Sequence, residues 1–124
     1  MGYEGVSGMA TIYNDPAEFT DEATDGFVDL YSDRLRKVVG GVVRRDRPAR
    51  PKVAVIVGGG SGHYPAFCGV VGPGFADAAV IGNIFTSPST AQAYNVGRAI
   101  NSGAGVIYTY GNYAGDVMNF GLAG

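Results

Sequence analysis

Hydrophobic positions recur with a helical period early in the chain and collapse into short unbroken runs later. Phe19, Ala23, Phe27, Leu30 or Tyr31, Leu35 and Val38 share one helical face, with acids on the other. Asn14-Asp15-Pro16-Ala17-Glu18 supplies a start: a capping carboxylate, a proline suited to the first helical position and a glutamate at capping-box spacing. Gly40-Gly41 supplies a stop. The spacing predicts a helix over roughly 16–39. Residues 1–13 show no clear period and read as a tail or a short edge segment, so the chain divides into 1–13 and a structured 14–124.

From Val53 the pattern changes. Val53-Ala-Val-Ile-Val57 is a β-branched run without a polar break, which predicts a strand buried on both faces. It runs into Gly58-Gly-Gly-Ser-Gly-His63. Ala78-Ala-Val-Ile81 predicts a second strand, Ser87-Pro88 opens a helix to Ile100, and Ala104 to Tyr110 predicts a third strand. A last helix begins after Asp116 and meets Gly124 within two turns, the expectation for a fragment. Strands alternating with helices predict an α/β fold, a mixed or mostly parallel sheet flanked by helices.

Composition narrows the function classes. Glycine supplies 21 of 124 residues, only 16% are charged and 46% are hydrophobic, which excludes a disordered tail and a coiled coil. Cys68 stands alone, no Cys/His cluster has metal-ligand spacing, and no apolar run approaches the ~20 residues of a membrane span. The expectation is a soluble, cytoplasmic protein without a bound metal in this segment. Cys68 reads as buried and inert.

Charge is distributed unevenly. Eight of the eleven acids precede residue 34, and eight of the nine bases lie between Arg34 and Lys52. No aromatic residue interleaves those bases, so a solvated helix end followed by an exposed loop is favoured over a nucleic-acid patch. The 72 residues from Val53 onward keep only His63, Asp77, Arg98 and Asp116 as His, Asp or Arg. So little charge predicts core, or surface covered by a partner, and makes those few groups candidates for chemistry. Asp77 reads as a turn residue and Arg98 as a solvent-facing helix residue.

Two glycine-containing loops follow apolar strands and end in an ionisable group: 58–63 ends in His63 and 111–116 in Asp116. The carboxyl ends of strands are where α/β sheets hold ligands. The common glycine-loop signatures fail by letter. No lysine follows Lys52, His63 or Pro65 occupies the last position of G-x-G-x-x-G, and His63 replaces the final glycine of G-x-S-x-G around Ser61. Ser61 therefore reads as a loop hydrogen-bonder. Asp116 also fits a helix N-cap, which is compatible with a second, catalytic role. Tyr108 and Tyr110 read as strand packing, with Tyr113 within reach of a ligand.

Taken together, Gly58-Gly-Gly-Ser-Gly-His-Tyr-Pro65, Phe85-Thr-Ser-Pro88 and Gly111-Asn-Tyr-Ala-Gly-Asp-Val-Met-Asn-Phe120 resemble the dihydroxyacetone kinase family, in the N-terminal part of its DhaK-type substrate-binding unit. The resemblance runs from about Ile12 to Gly124. It implies an incomplete piece of the DhaK fold and phosphorylation of a terminal hydroxyl of a short-chain ketose. ATP with Mg, or a phosphoryl-carrying partner subunit, would be the donor, bound outside this segment. It further implies a homodimer, and Gly59, Gly60, Ser61, His63 and Asp116 as substrate-binding positions. Asp116 would act as base and His63 as the group orienting the sugar oxygen. The family's covalently bonding histidine would lie beyond Gly124.

Two positions depart from the commoner dihydroxyacetone-binding pattern. Tyr64 stands where an acid follows the histidine, and Gly111 where a lysine precedes Asn-Tyr. Together they suggest a larger ketose, a tetrulose of the erythrulose kind. The alternative reading is a non-catalytic, ketose-sensing regulator of the same family. Every version requires His63 and Asp116, 53 positions apart, at the rim of one cleft.

Overall fold

A computed structural model describes residues 14–124; the expectation for 1–13 lies outside them. Asp15 accepts the Ala17 N–H at 2.9 Å and caps a short turn over Pro16–Glu18, which leads into α1 (Phe19–Leu30). Then come β1 (Leu35–Val38), β2 (Gly41–Arg44), β3 (Ala54–Gly60), β4 (Ala78–Gly82), α2 (Thr90–Ile100), β5 (Val106–Tyr110) and α3 (Ala114–Ala123). The five strands form one sheet in the order β1-β2-β4-β3-β5. β3 pairs in parallel with β4 and β5, while β2 pairs antiparallel with β1 and β4. The sheet is mixed and flanked by helices, as the sequence predicts.

The long helix expected over 16–39 is shorter. Helical structure ends at Leu30, and residues 35–44 form a β-hairpin. Gly40, at φ +96°, turns that hairpin rather than stopping a helix. Tertiary pairing decides the matter: Val42 and Val43 are wholly buried on opposite sheet faces, a burial that a solvated loop would forgo. Gly41 is required beside them, because a Cβ there would run into the Ala79 carbonyl of β4. The first part of the basic stretch is therefore sheet, the part after Arg44 is the exposed loop expected, and several of the charges have protein partners. Lys37 pairs with Asp25 at 2.7 Å and Asp21 at 3.4 Å, while Arg44 pairs with Asp46 and Asp77.

The core has two layers. One sheet face packs Leu35, Val42, Ala79 and Ile81 under α1 and the segment around Cys68 and Val71. The other packs Val43, Ile56, Ala78 and Val80 under α2 and α3, through Ala93, Val96 and Phe120. Cys68 is buried, and burial pushes its thiol pKa up, away from thiolate chemistry.

Asp77 is not a turn residue. It is 1% exposed, immediately precedes β4, and its carboxylate accepts from Arg44 at 3.0 Å, Lys52 at 2.6 Å and the Val55 N–H at 2.8 Å. Burial would push its pKa up. Lys52, the Val55 N–H and Arg44 outweigh that and hold it below the usual carboxylate value. Arg98 is exposed, as expected, with its guanidinium 5.9 Å above the Tyr94 ring.

Candidate active site

The three glycines of β3 act first through packing. A Cβ on Gly58 would stand 2.5 Å from the Phe120 ring on one sheet face, and one on Gly59 would stand 2.5 Å from the Phe67 ring on the other. At Gly60, the end of the strand, it would stand 2.7 Å from the Ile84 carbonyl and 2.9 Å from that of Asn83. The backbones of β3 and of the loop after β4 can meet only because these side chains are missing. Replacing Gly60 by Ala should therefore destabilise the fold by about 1–3 kcal/mol, the usual cost of forcing atoms into packed space. Urea titration checks this; an unchanged midpoint would contradict it.

Beyond Gly60, a single 3-10 turn over Ser61–His63 delivers His63 to the surface, with its ring edge-on to Phe67 at 5.9 Å. The Ser61 N–H donates to Asn83 O at 3.2 Å and the Gly62 N–H to Ile84 O at 2.6 Å. These two amides are spent on the protein rather than left free for a ligand.

On the neighbouring parallel strand, β5 leads through Gly111 and Asn112 into α3. Tyr108 and Tyr110 pack, as expected. Tyr108 donates to Ala93 O at 2.8 Å, and burial pushes its pKa up; Tyr110 stacks on Phe120 at 4.6 Å. Tyr113 holds the N-cap position, so Asp116 sits inside the first turn of α3 rather than capping it. Asp116 is 6% exposed, and among the described residues no group hydrogen-bonds its carboxylate. Its oxygens are not sealed from solvent, so the carboxylate at the start of α3 is left free to accept a hydrogen bond from a ligand.

His63 and Asp116 line one open cavity of about 600 Å³ together with Gly60, Phe85, Thr86, Ser87, Tyr113, Gly115 and Asn119. The imidazole and the carboxylate thus reach a common cleft. Gly59 and Ser61 do not line it: Gly59 underlies Phe67, and the Ser61 hydroxyl is 3.2 Å from that of Thr20 on the α1 side. Phe85, Thr86, Ser87 and Asn119 were not among the residues singled out from sequence as site candidates. The string Phe85-Thr-Ser-Pro88 held three of them and the string from Gly111 to Phe120 held Asn119, without marking any as a site residue.

The two departures in the motifs part company here. Tyr64, 68% exposed, turns away from the cavity and meets Phe27 of α1 edge-on at 6.2 Å. Gly111 lies against the carboxylate: a Cβ there would come within 2.9 Å of Asp116 Oδ2. The cavity wall offers one carboxylate, one imidazole and no lysine or arginine. That donor set suits a small polyhydroxylated molecule and does not fit a nucleotide with its magnesium ion.

Comparison with known proteins gives a consistent answer. The Dak1 domain family model matches residues 25–124. The D-erythrulose kinase of Mycolicibacterium smegmatis is 62% identical over 115 residues, which are 93% of this chain and 20% of that protein. The L-erythrulose kinase of Pectobacterium atrosepticum is 53% identical over 115 residues, again 93% of this chain and 20% of that protein. Among solved structures, the dihydroxyacetone kinase from C. freundii in complex with AMP-PNP and Mg2+ superposes with a TM-score of 0.84 at 37% identity, covering 92% of this chain and 22% of that one. The chain spans about a fifth of the length of these relatives.

Proposed function

This chain belongs to the Dak1 domain family, and on that premise we propose that it forms the ketose-binding wall of a kinase for short-chain ketoses. The observation that carries the reading is that Asp116, whose carboxylate no described residue hydrogen-bonds, lines the same cavity as His63. A terminal hydroxyl of the sugar donates its hydrogen bond to Asp116. As that oxygen bonds to the transferred phosphorus and the bond to the donor breaks, its proton passes to the carboxylate. His63 donates to a second sugar oxygen and fixes which hydroxyl faces Asp116. Ser87 and Thr86, which also line the cavity, have hydroxyls with the polarity to meet the remaining sugar hydroxyls.

The phosphoryl donor, ATP with magnesium or a phosphorylated partner subunit, belongs to another part of the protein or to another chain, since this cavity lacks the groups to hold it. Val117, Met118 and Leu122 of α3, and Ile107 on the opposite sheet face of β5, remain exposed, which supports burial of this end of the sheet against further protein, including a second copy. No described helix is long and apolar enough to cross a membrane, and a cytoplasmic kinase fits that.

The substrate is a tetrulose rather than dihydroxyacetone, a reading supported by Gly111 in place of the commoner lysine and by the erythrulose kinases among the most similar relatives. The full-length protein, offered D-erythrulose, L-erythrulose and dihydroxyacetone in competition, should turn over an erythrulose enantiomer best. Equal or better turnover of dihydroxyacetone than of both enantiomers would overturn the assignment. Gly111→Lys puts the commoner residue against Asp116 and should lower the kcat/KM ratio of erythrulose to dihydroxyacetone roughly tenfold, the scale at which a pocket discriminates one carbon.

A further inference from the structure

His63 and Asp116 sit on separate elements, and the loop over 83–88 lies between them. On one side this loop holds the His63 turn, through Asn83 O and Ile84 O accepting from the Ser61 and Gly62 amides at 3.2 and 2.6 Å. On the other side it meets α3. Gly115 has no side chain, and a Cβ there would stand 3.3 Å from Ser87 Cβ, so the first turn of α3 rests directly on Ser87. Asn119 then ties the two together. Its Nδ2 donates to Pro88 O at 3.0 Å and to Ser87 Oγ at 3.4 Å, while its Oδ1 accepts from Thr90 Oγ1 at 3.4 Å. Donors and acceptor are all engaged, which fixes the orientation of the amide.

Asn119 is three residues beyond Asp116, so both project from the same face of α3. A shift of the Asn119 contact therefore moves the carboxylate. We infer that Asn119 is a positioning residue: by pinning α3 to the Ser87–Pro88 turn, it sets the distance of the Asp116 carboxylate from the loop that holds His63. This rests on the reading of Asp116 and His63 as the pair that handles the sugar. Asp at 119 keeps the shape and loses both donors, and it sets a carboxylate against Pro88 O.

The test is a double-mutant cycle in the full-length protein, with Asn119→Asp, Asp116→Asn and their combination assayed for ketose phosphorylation. Asn119→Asp should lower kcat by about 10- to 100-fold, the effect of misplacing a reacting group by about an ångström, with ketose KM changed by less than about threefold. The combined variant should be no slower than Asp116→Asn alone, because a misplaced base and an absent one cost the same step. A merely destabilising change lowers the folded fraction instead, and its loss would multiply with that of Asp116→Asn. Multiplicative losses, or a wild-type kcat for Asn119→Asp, overturn the inference and leave the pair intact. Wild-type activity in Asp116→Asn overturns both. If Asn119→Asp melts below the assay temperature, the smaller, neutral Asn119→Ser takes its place in the cycle.

Discussion

Asp116→Asn should reduce ketose phosphorylation by the full-length protein by about 10²- to 10⁴-fold, the range that a positioned general base contributes. The amide is isosteric and sits where no described protein group bonds the carboxylate, so folding should be little affected. Loss without unfolding is therefore the signature: a steep fall in kcat, an unchanged melting temperature and a ketose KM within a few-fold of the parent. A variant that keeps a tenth or more of the parental rate would remove Asp116 from the chemistry.

The second large effect concerns stability. Asp77→Ala leaves the Val55 N–H without its acceptor and Lys52 and Arg44 without their buried partner. The cost should be about 3 kcal/mol, as for other broken buried ion pairs. Equilibrium urea unfolding measures it, with a lower midpoint at constant slope as the expected form. The pH dependence follows from the lowered pKa of the folded state. The stabilisation is fully present above the unfolded value near 4 and is lost as pH falls through the lower folded value. The parent should thus lose stability on acidification below about pH 5, and Asp77→Ala should show a flatter acid limb. A variant as stable as the parent at pH 7 would show that the three partners contribute nothing net.

The strands of the parallel half and the helices beside them were legible because each is a local pattern. Val53 to Val57 and Ala78 to Ile81 are unbroken apolar runs, and Ser87-Pro88 marked the approach to α2, although the cap is Ser89, in a capping box with Gln92. The hairpin was not, since Leu35 and Val38 happen to continue the helical period set by Phe19 and Phe27. Two valine doublets flanking Gly40-Gly41 were the available signal for a turn between strands. The role of Asp77 could not be read locally either: Arg44 lies 33 positions before it and Lys52 lies 25 before it. At the site, His63 and Asp116 stood out because their surroundings carry so little charge. Ser87 and Asn119 did not, because a hydroxyl and an amide among many gain meaning only from what they touch.

The seating of Phe120 over Gly58 has a consequence for how this cleft could be reshaped. One absent methyl group on β3 acts as a thin shim: it sets how deep α3 beds into the sheet, and with it how high the Asp116 carboxylate stands in the cleft. Trimming the ring or thickening the strand would raise or lower that ledge without altering any residue that meets the sugar. The gauge of the binding space is therefore adjustable from underneath the sheet as well as from within the cleft.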